Sequence, residues 1–275
     1  MDNPMKAFID VTTGPCAGLS DYDRTILRNA ARQFANARGA TIRLAELLGL
    51  TLGKAARLFG NSAATILGNN WERKYESLVE QALRQAFDLA TLGLDPEGQQ
   101  EPWAWLHKAL VTASGTAGGF IGAPGLAADL PITTCLILRS IAEIARAHGE
   151  DIQSDEGRRA CLEVFAFGGP QVADEELEAG YWAARAALSH TTIEAMIRAI
   201  APQLGLVLSE KYVAQAIPIA GAAAGATLNY IFMDFYQQMA RVHFAVREVE
   251  RHNDREAVRA CFDALVREAR IKRSG

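Results

Sequence analysis

The sequence predicts an all-α protein: a single multi-helical domain built around two Gly/Ala-rich apolar helical hairpins. Apolar residues recur at spacings of three and four through most of the chain, while period-two alternation is sparse. Two long uncharged runs of small residues supply the hairpins. One extends over 20 residues from Ala109 to Ala128 and contains five glycines; the other covers 22 residues from Tyr212 to Met233 and includes IPIAGAAAGATLNYIFM.

Residues 1–20 read as an irregular N-terminal arm, interrupted by Pro4, Gly14, Pro15 and Gly18. From Tyr22 to about Leu48, the residues Ile26, Ala30, Phe34 and Ala37 mark a helical stripe. Ser20 or Asp21 offers an oxygen to the unpaired amides at its start, and Gly49 ends or bends it. A shorter helix over 51–67 breaks around Gly60 and Asn61. Residues 69–91 form an amphipathic helix through Trp71, Tyr75, Leu78, Ala82 and Leu89, read as core because an exposed stripe of that size is unusual. A loop over 92–101 precedes Pro102, which can open the helix carrying Trp105 and Leu110. Helices follow near 130–148, 155–167 and 174–200, and a last helical region runs with breaks from Thr227 to Arg270. The helical domain is thus 21–270, with 271–275 as a basic tail.

With 49% hydrophobic and 22% charged residues, the composition excludes global disorder. The formal charge of −4, from 28 basic and 32 acidic residues, gives no general drive toward nucleic acid. Cys16, Cys135, Cys161 and Cys261 form no CxxC pair. Free thiols in a reducing cytosol fit at least as well as a disulfide framework, with Cys135 and Cys161 as core residues. The first 16 residues, MDNPMKAFIDVTTGPC, lack a secretory pattern. The expected location is cytoplasmic, with association at the inner face of the membrane as the variant of that reading.

Gly115/Gly119, Gly118/Gly122 and Gly221/Gly225 have glycine-xxx-glycine spacing, which strips bulk from one helix face and admits a neighbouring backbone. Both runs approach the roughly 20 residues needed to cross a bilayer. Alanine, glycine, serine and threonine contribute little apolar area, however, and both runs contain proline. Buried hairpins are therefore favoured over partly inserted segments, and those over true spans. GTAGGFIGAPG matches neither a Walker loop nor a dinucleotide fingerprint, so no cofactor is expected.

The polar residues inside these apolar stretches form the candidate network Asp129, Arg139, Glu143, Glu163, Asp234 and Arg241. Asp129 is placed to cap the following helix, with Pro131 in its first turn. Arg139, Glu143 and Arg146 share a face, as do Asp234, Gln238 and Arg241. Glu163 in CLEVFAFGG is a further partner for a seam carried inward. His243 has an imidazole suited to chemistry near neutral pH. The HExxH signature is absent and no metal site is expected. If the protein were a hydrolase, Glu143, Glu163, Asp234 and His243 would be its acid–base candidates. Glu210 and Lys211 mark a helix start, and the long stem of Lys211 can lie along hydrocarbon with its ammonium at an acidic headgroup. The C-terminal residues around Val249, Val258, Phe262, Leu265 and Val266 read as an amphipathic packing helix.

Read together, GGFIGAPGLAADLPITTCLILRSIAEIARAHGEDI, CLEVFAFGG and EKYVAQAIPIAGAAAGATLNYIFMDFYQQMARVHF resemble the EcsC family over roughly residues 40–260. The ordered combination is more specific than any one glycine motif. The resemblance implies a bacterial, predominantly helical protein, and places Asp129, Pro131, Arg139, Glu143, Glu163, Glu210, Lys211, Asp234 and Arg241 in the family's polar pattern without assigning them catalytic duties. Some relatives are associated with transport-related operons or labelled peptidases, although no peptidase motif occurs here.

The leading functional expectation is a non-catalytic binding protein or adaptor for a hydrophobic ligand, such as a lipid, or a membrane surface, linked to transport in one version. The alternatives are a hydrolase acting on an apolar or peptide substrate and a structural protein-interaction module.

Overall fold

A computed structural model of the 275-residue chain describes residues 14–37, 77–86, 104–121, 123–167, 174–202 and 220–274. Among these residues there are nine helices and no strand. They are α1 (Asp21–Asn36), α2 (77–86), α3 (Ala104–Ile121), α4 (Ala123–Ala147), α5 (Asp155–Ala166), α6 (Asp174–Leu188), α7 (193–202), α8 (Ala220–Glu250) and α9 (Arg255–Ser274).

The helix ends follow from local chemistry. Ser20 caps α1, its hydroxyl accepting from the Asp23 amide, and Ser154 caps α5 by accepting from the Gly157 amide at 3.0 Å. Gly157 cannot carry a side chain at this corner, since a Cβ would lie 2.0 Å from the Asp151 carbonyl oxygen. At the end of α4, Gly149 adopts φ +77°, donates to the Arg146 carbonyl and lets Glu150 donate to Ala145, the paired bonds of a Schellman cap.

The 31-residue α8, about 46 Å long at 1.5 Å per residue, is the axis of the fold. It packs against α1, α3, α4, α5 and α9. Its register against α3 is antiparallel: Gln237 meets Ala104, Asp234 meets Lys108, and Asn229 meets Val111.

This arrangement corrects the expectation of two Gly/Ala-rich apolar hairpins. The first run is divided between the end of α3 and the start of α4, and the described part of the second is the opening of the single long helix α8. No helix among the described residues is long and apolar enough to cross a membrane. Small side chains supply too little area for self-contained apolar devices.

Other expectations are corrected as well. The helix expected to start after Asp129 begins at Ala123, so Asp129 is not its N-cap and Pro131 lies well inside it. The side chain of Asp129, like Glu210 and Lys211 as a whole, lies outside the described residues. The helix expected over 174–200 divides at residues 189–192. In α2 the buried residues are Val79, Ala82, Leu83 and Ala86, whereas Leu78 is exposed. The stripe is offset by one position because i, i+3, i+4 and i+7 from Val79 face the core.

The chain ends are clasped together. Phe34 of α1 meets Tyr181 of α6 and Phe262 of α9, each with ring centroids 5.7 Å apart, and Phe167 packs on Tyr181 at 4.7 Å. Cys16 and Cys261 form a disulfide across a sequence separation of 245 residues, and both are buried. Pairing thus replaces the free thiols that a reducing environment had suggested for these two; Cys135 and Cys161 remain free.

Closing so long a loop restricts the unfolded chain, an entropic effect of about 5 kcal/mol at most in the chain-entropy picture. Reduction is predicted to lower the thermal midpoint to that of Cys16→Ser/Cys261→Ser, while leaving the double variant unchanged. An identical midpoint with and without reductant in the wild type, by circular dichroism, would count against the clasp.

Candidate functional site

A cleft of about 480 Å³ opens between α5, α6, α8 and α9. Trp182 forms one wall. Its indole donates to Asp263 at 2.8 Å, while the Arg259 and Arg185 guanidiniums lie 5.1 and 5.3 Å from its ring. Arg185 donates to both carboxylate oxygens of Glu250 at 2.9 and 2.6 Å. Arg247 donates to both oxygens of Glu150 and to Glu156. The bidentate forks fix these guanidiniums, so they serve as walls.

Beneath them, Glu163 of α5 and His243 of α8 form a buried pair, with His243 Nε2 3.3 Å from Glu163 Oε2. The distance permits charge–dipole attraction, although the angle falls short of a well-aligned hydrogen bond. Burial pushes the imidazole's pKa down, aided by the Arg185 and Arg247 charges, and the Glu163 contact only partly opposes this. Burial raises the Glu163 carboxyl, but His243 and the two guanidiniums outweigh it and leave the carboxyl below its ordinary value. Near neutral pH the pair is a carboxylate facing a neutral imidazole. His243 is 0% exposed and packs against Phe167 at 5.1 Å, so the site offers no path for a substrate to its ring.

The other candidate residues belong to separate clusters. Glu143 takes Arg139 at 3.3 Å and lies 3.6 Å from His107 between α3 and α4. Asp234 accepts from Lys108 and from Gln238, both at 2.5 Å, between α3 and α8. Nine residues of helix, about 13 Å, separate Asp234 from His243. Of the four acid–base candidates, the structure brings together Glu163 and His243 alone. In the wider network Arg139 joins Glu143, and Arg146 is buried on the same helix. Arg241 is half-buried one turn beyond Gln238.

Sequence reading missed Lys108, Arg185, Arg247 and Glu250. Arg185 carried a usable signal: it is the sole charge in AGYWAARAAL, residues 179–188. Its partner lies 65 residues away, as Arg247 lies 97 from Glu150, so no local spacing announces either pair.

A second surface feature lies on α3. Trp105, Ala109, Leu110 and Ala113 are exposed and uncharged, with Trp105 71% accessible. Their spacing puts them on one side of the helix, opposite the buried His107 and Val111. Ile132 on α4 and Tyr230 on α8 are also exposed, and the Lys108 ammonium sits 5.2 Å from the Tyr230 ring centroid.

The pKa directions of the buried pair set a pH dependence. A neutral His243 binds fewer protons folded than unfolded, so its contribution is present above the ordinary imidazole pKa near 6.5 and is lost as pH falls toward the lowered folded value. Glu163 adds a loss of the same sign at lower pH, below its ordinary carboxyl value. Urea midpoints measured between pH 7.5 and 5.5 are predicted to fall less steeply in His243→Gln than in the wild type. Equal slopes would contradict the assignment.

A family model described as the EcsC protein family matches residues 53–249. Comparison with curated proteins and with solved structures finds no match. The matched residues include α2 through all but the last residue of α8, and with them Glu143, Glu163, Asp234 and His243. Spanning more than half of the chain, and carrying the helices that build both the buried pair and the α3 face, the match establishes that this protein belongs to the EcsC family.

Proposed function

We propose that the protein is a non-catalytic binding module that lays one helix face against a membrane surface or another hydrophobic ligand. The observation that carries this reading is the uncharged, solvent-facing side of α3 formed by Trp105, Ala109, Leu110 and Ala113. A soluble helix ordinarily places charges on its outer face, and contiguous apolar surface mostly marks an interaction site. Tyr230 and the neighbouring Lys108 suit the boundary of such a surface, an aromatic body with an ammonium beside it. In this reading the face docks peripherally, in keeping with the finding that no helix among the described residues is long and apolar enough to cross a membrane.

The hydrolase alternative receives less support. A general acid or base must reach its substrate, and His243 is enclosed by protein while Glu143 and Asp234 hold partners elsewhere.

Vesicle co-sedimentation tests the proposal. Binding to phosphatidylcholine vesicles containing acidic lipid is expected, and Trp105→Ser/Leu110→Ser should weaken it at least about tenfold by removing apolar side-chain area, with an unchanged thermal midpoint. Full binding by the double variant, or no binding by the wild type at low and moderate salt, would overturn this assignment.

A further inference from the structure

We infer that the Trp182 cleft is a binding site for a small phosphorylated ligand, with Arg159 of α5 and Arg255 of α9 as its anion-binding residues. Most of the charges lining the cleft already have partners inside the protein. Glu250 takes Arg185, Glu156 takes Arg247, and Glu163 faces His243. Arg259 lies over Trp182 and 3.8 Å from one oxygen of Asp263, whose other oxygen accepts from the indole. Arg159 and Arg255 line the same space with no ion pair or hydrogen bond among the described residues. The lining carboxylates not paired with a guanidinium are Glu256 and Glu163, the latter beside a neutral imidazole. Arg159 and Arg255 therefore present uncommitted guanidinium N–H donors to the cleft, which the oxygens of an anion can accept.

Geometry narrows the class of anion. Two guanidiniums arriving from different helices suit a ligand with several acceptor oxygens, and a phosphate offers three in a tetrahedral arrangement. The cleft volume of about 480 Å³ falls in the range of small-molecule sites, leaving room for an organic body along the Trp182 wall. The start of α9 is not the attraction, because Asp254 already occupies it by accepting from the Ala257 amide. The paired walls, Arg185–Glu250 and Arg247–Glu156, keep the cleft shaped before a ligand arrives. This site stands apart from the α3 face and does not depend on membrane docking.

Isothermal titration calorimetry of the full chain with inorganic phosphate and pyrophosphate, in chloride buffer of fixed ionic strength, tests the assignment without lipid. Saturable one-to-one binding is expected, weakened at least about tenfold in Arg159→Ala/Arg255→Ala, because removing even one charge-assisted hydrogen bond costs an amount of that order. The thermal midpoint should not move, as neither guanidinium holds a partner, and Glu256→Gln should tighten binding. A soluble short-chain phosphatidate in the same titration identifies the source. Tighter binding than inorganic phosphate, still sensitive to the arginine pair, assigns a lipid headgroup; equal or weaker binding assigns a free phosphorylated molecule. No saturable binding of any of the three, or binding unchanged in the arginine variant, would overturn the site.

Discussion

The polar groups that α8 carries into the interior constrain the rest of the fold. A helix packed against five others must find acceptors for its buried amide N–H groups, because an unpaired buried donor costs more than a formed hydrogen bond contributes. Asn229 donates to the Val111 carbonyl at 2.8 Å and to Thr133 Oγ1 at 3.3 Å; Gln237 donates to the Ala104 carbonyl at 3.1 Å and to Ser140 Oγ at 2.9 Å. Each amide thus stitches α8 to both α3 and α4. Sliding α8 by one residue would strand both amides at once, so register is set by polar satisfaction as well as by apolar area.

The same logic connects the axis to the cleft. His243 lies nearly two turns beyond Gln237 on α8 and meets Glu163, and a further turn along, Arg247 and Glu250 fix the cleft walls. The clasp adds a constraint from outside the residues matched by the family, since α1 and α9 flank positions 53–249. The Cys16–Cys261 disulfide and the rings around Tyr181 hold α9 in place, and α9 supplies Arg255, Glu256 and Arg259 to the cleft. The terminal clasp and the cleft thus share one structural element.

Much of this architecture was legible in the sequence. Periodicity identified α5, α9 and the start of α1, which ends at Asn36 rather than near Leu48; Ser20 announced a cap, and the Arg139–Glu143 pair followed from its four-residue spacing. Small-residue runs were misread as paired hairpins because composition alone does not reveal whether a glycine bends a chain or lies within a helix. Asp129 looked like a cap because a proline follows it, a signal that fails when the helix starts earlier. The cleft was illegible for a different reason: its pairs join residues 65 and 97 apart, and only folding puts Arg185 beside Glu250. Glu163 and His243 were both singled out, the first as a charge in an apolar helix and the second as an imidazole suited to chemistry near neutral pH. Their pairing required tertiary contact.

The register of α8 rests on its buried amides forming energetically coupled contacts. A double-mutant cycle in urea unfolding between Gln237→Ala and Ser140→Ala measures this directly. It is predicted to give a coupling of about 1 kcal/mol, since the first variant removes the donor to Ser140 and the second its acceptor. Strict additivity of the two substitutions would contradict the claim that these side chains hold α8 in register.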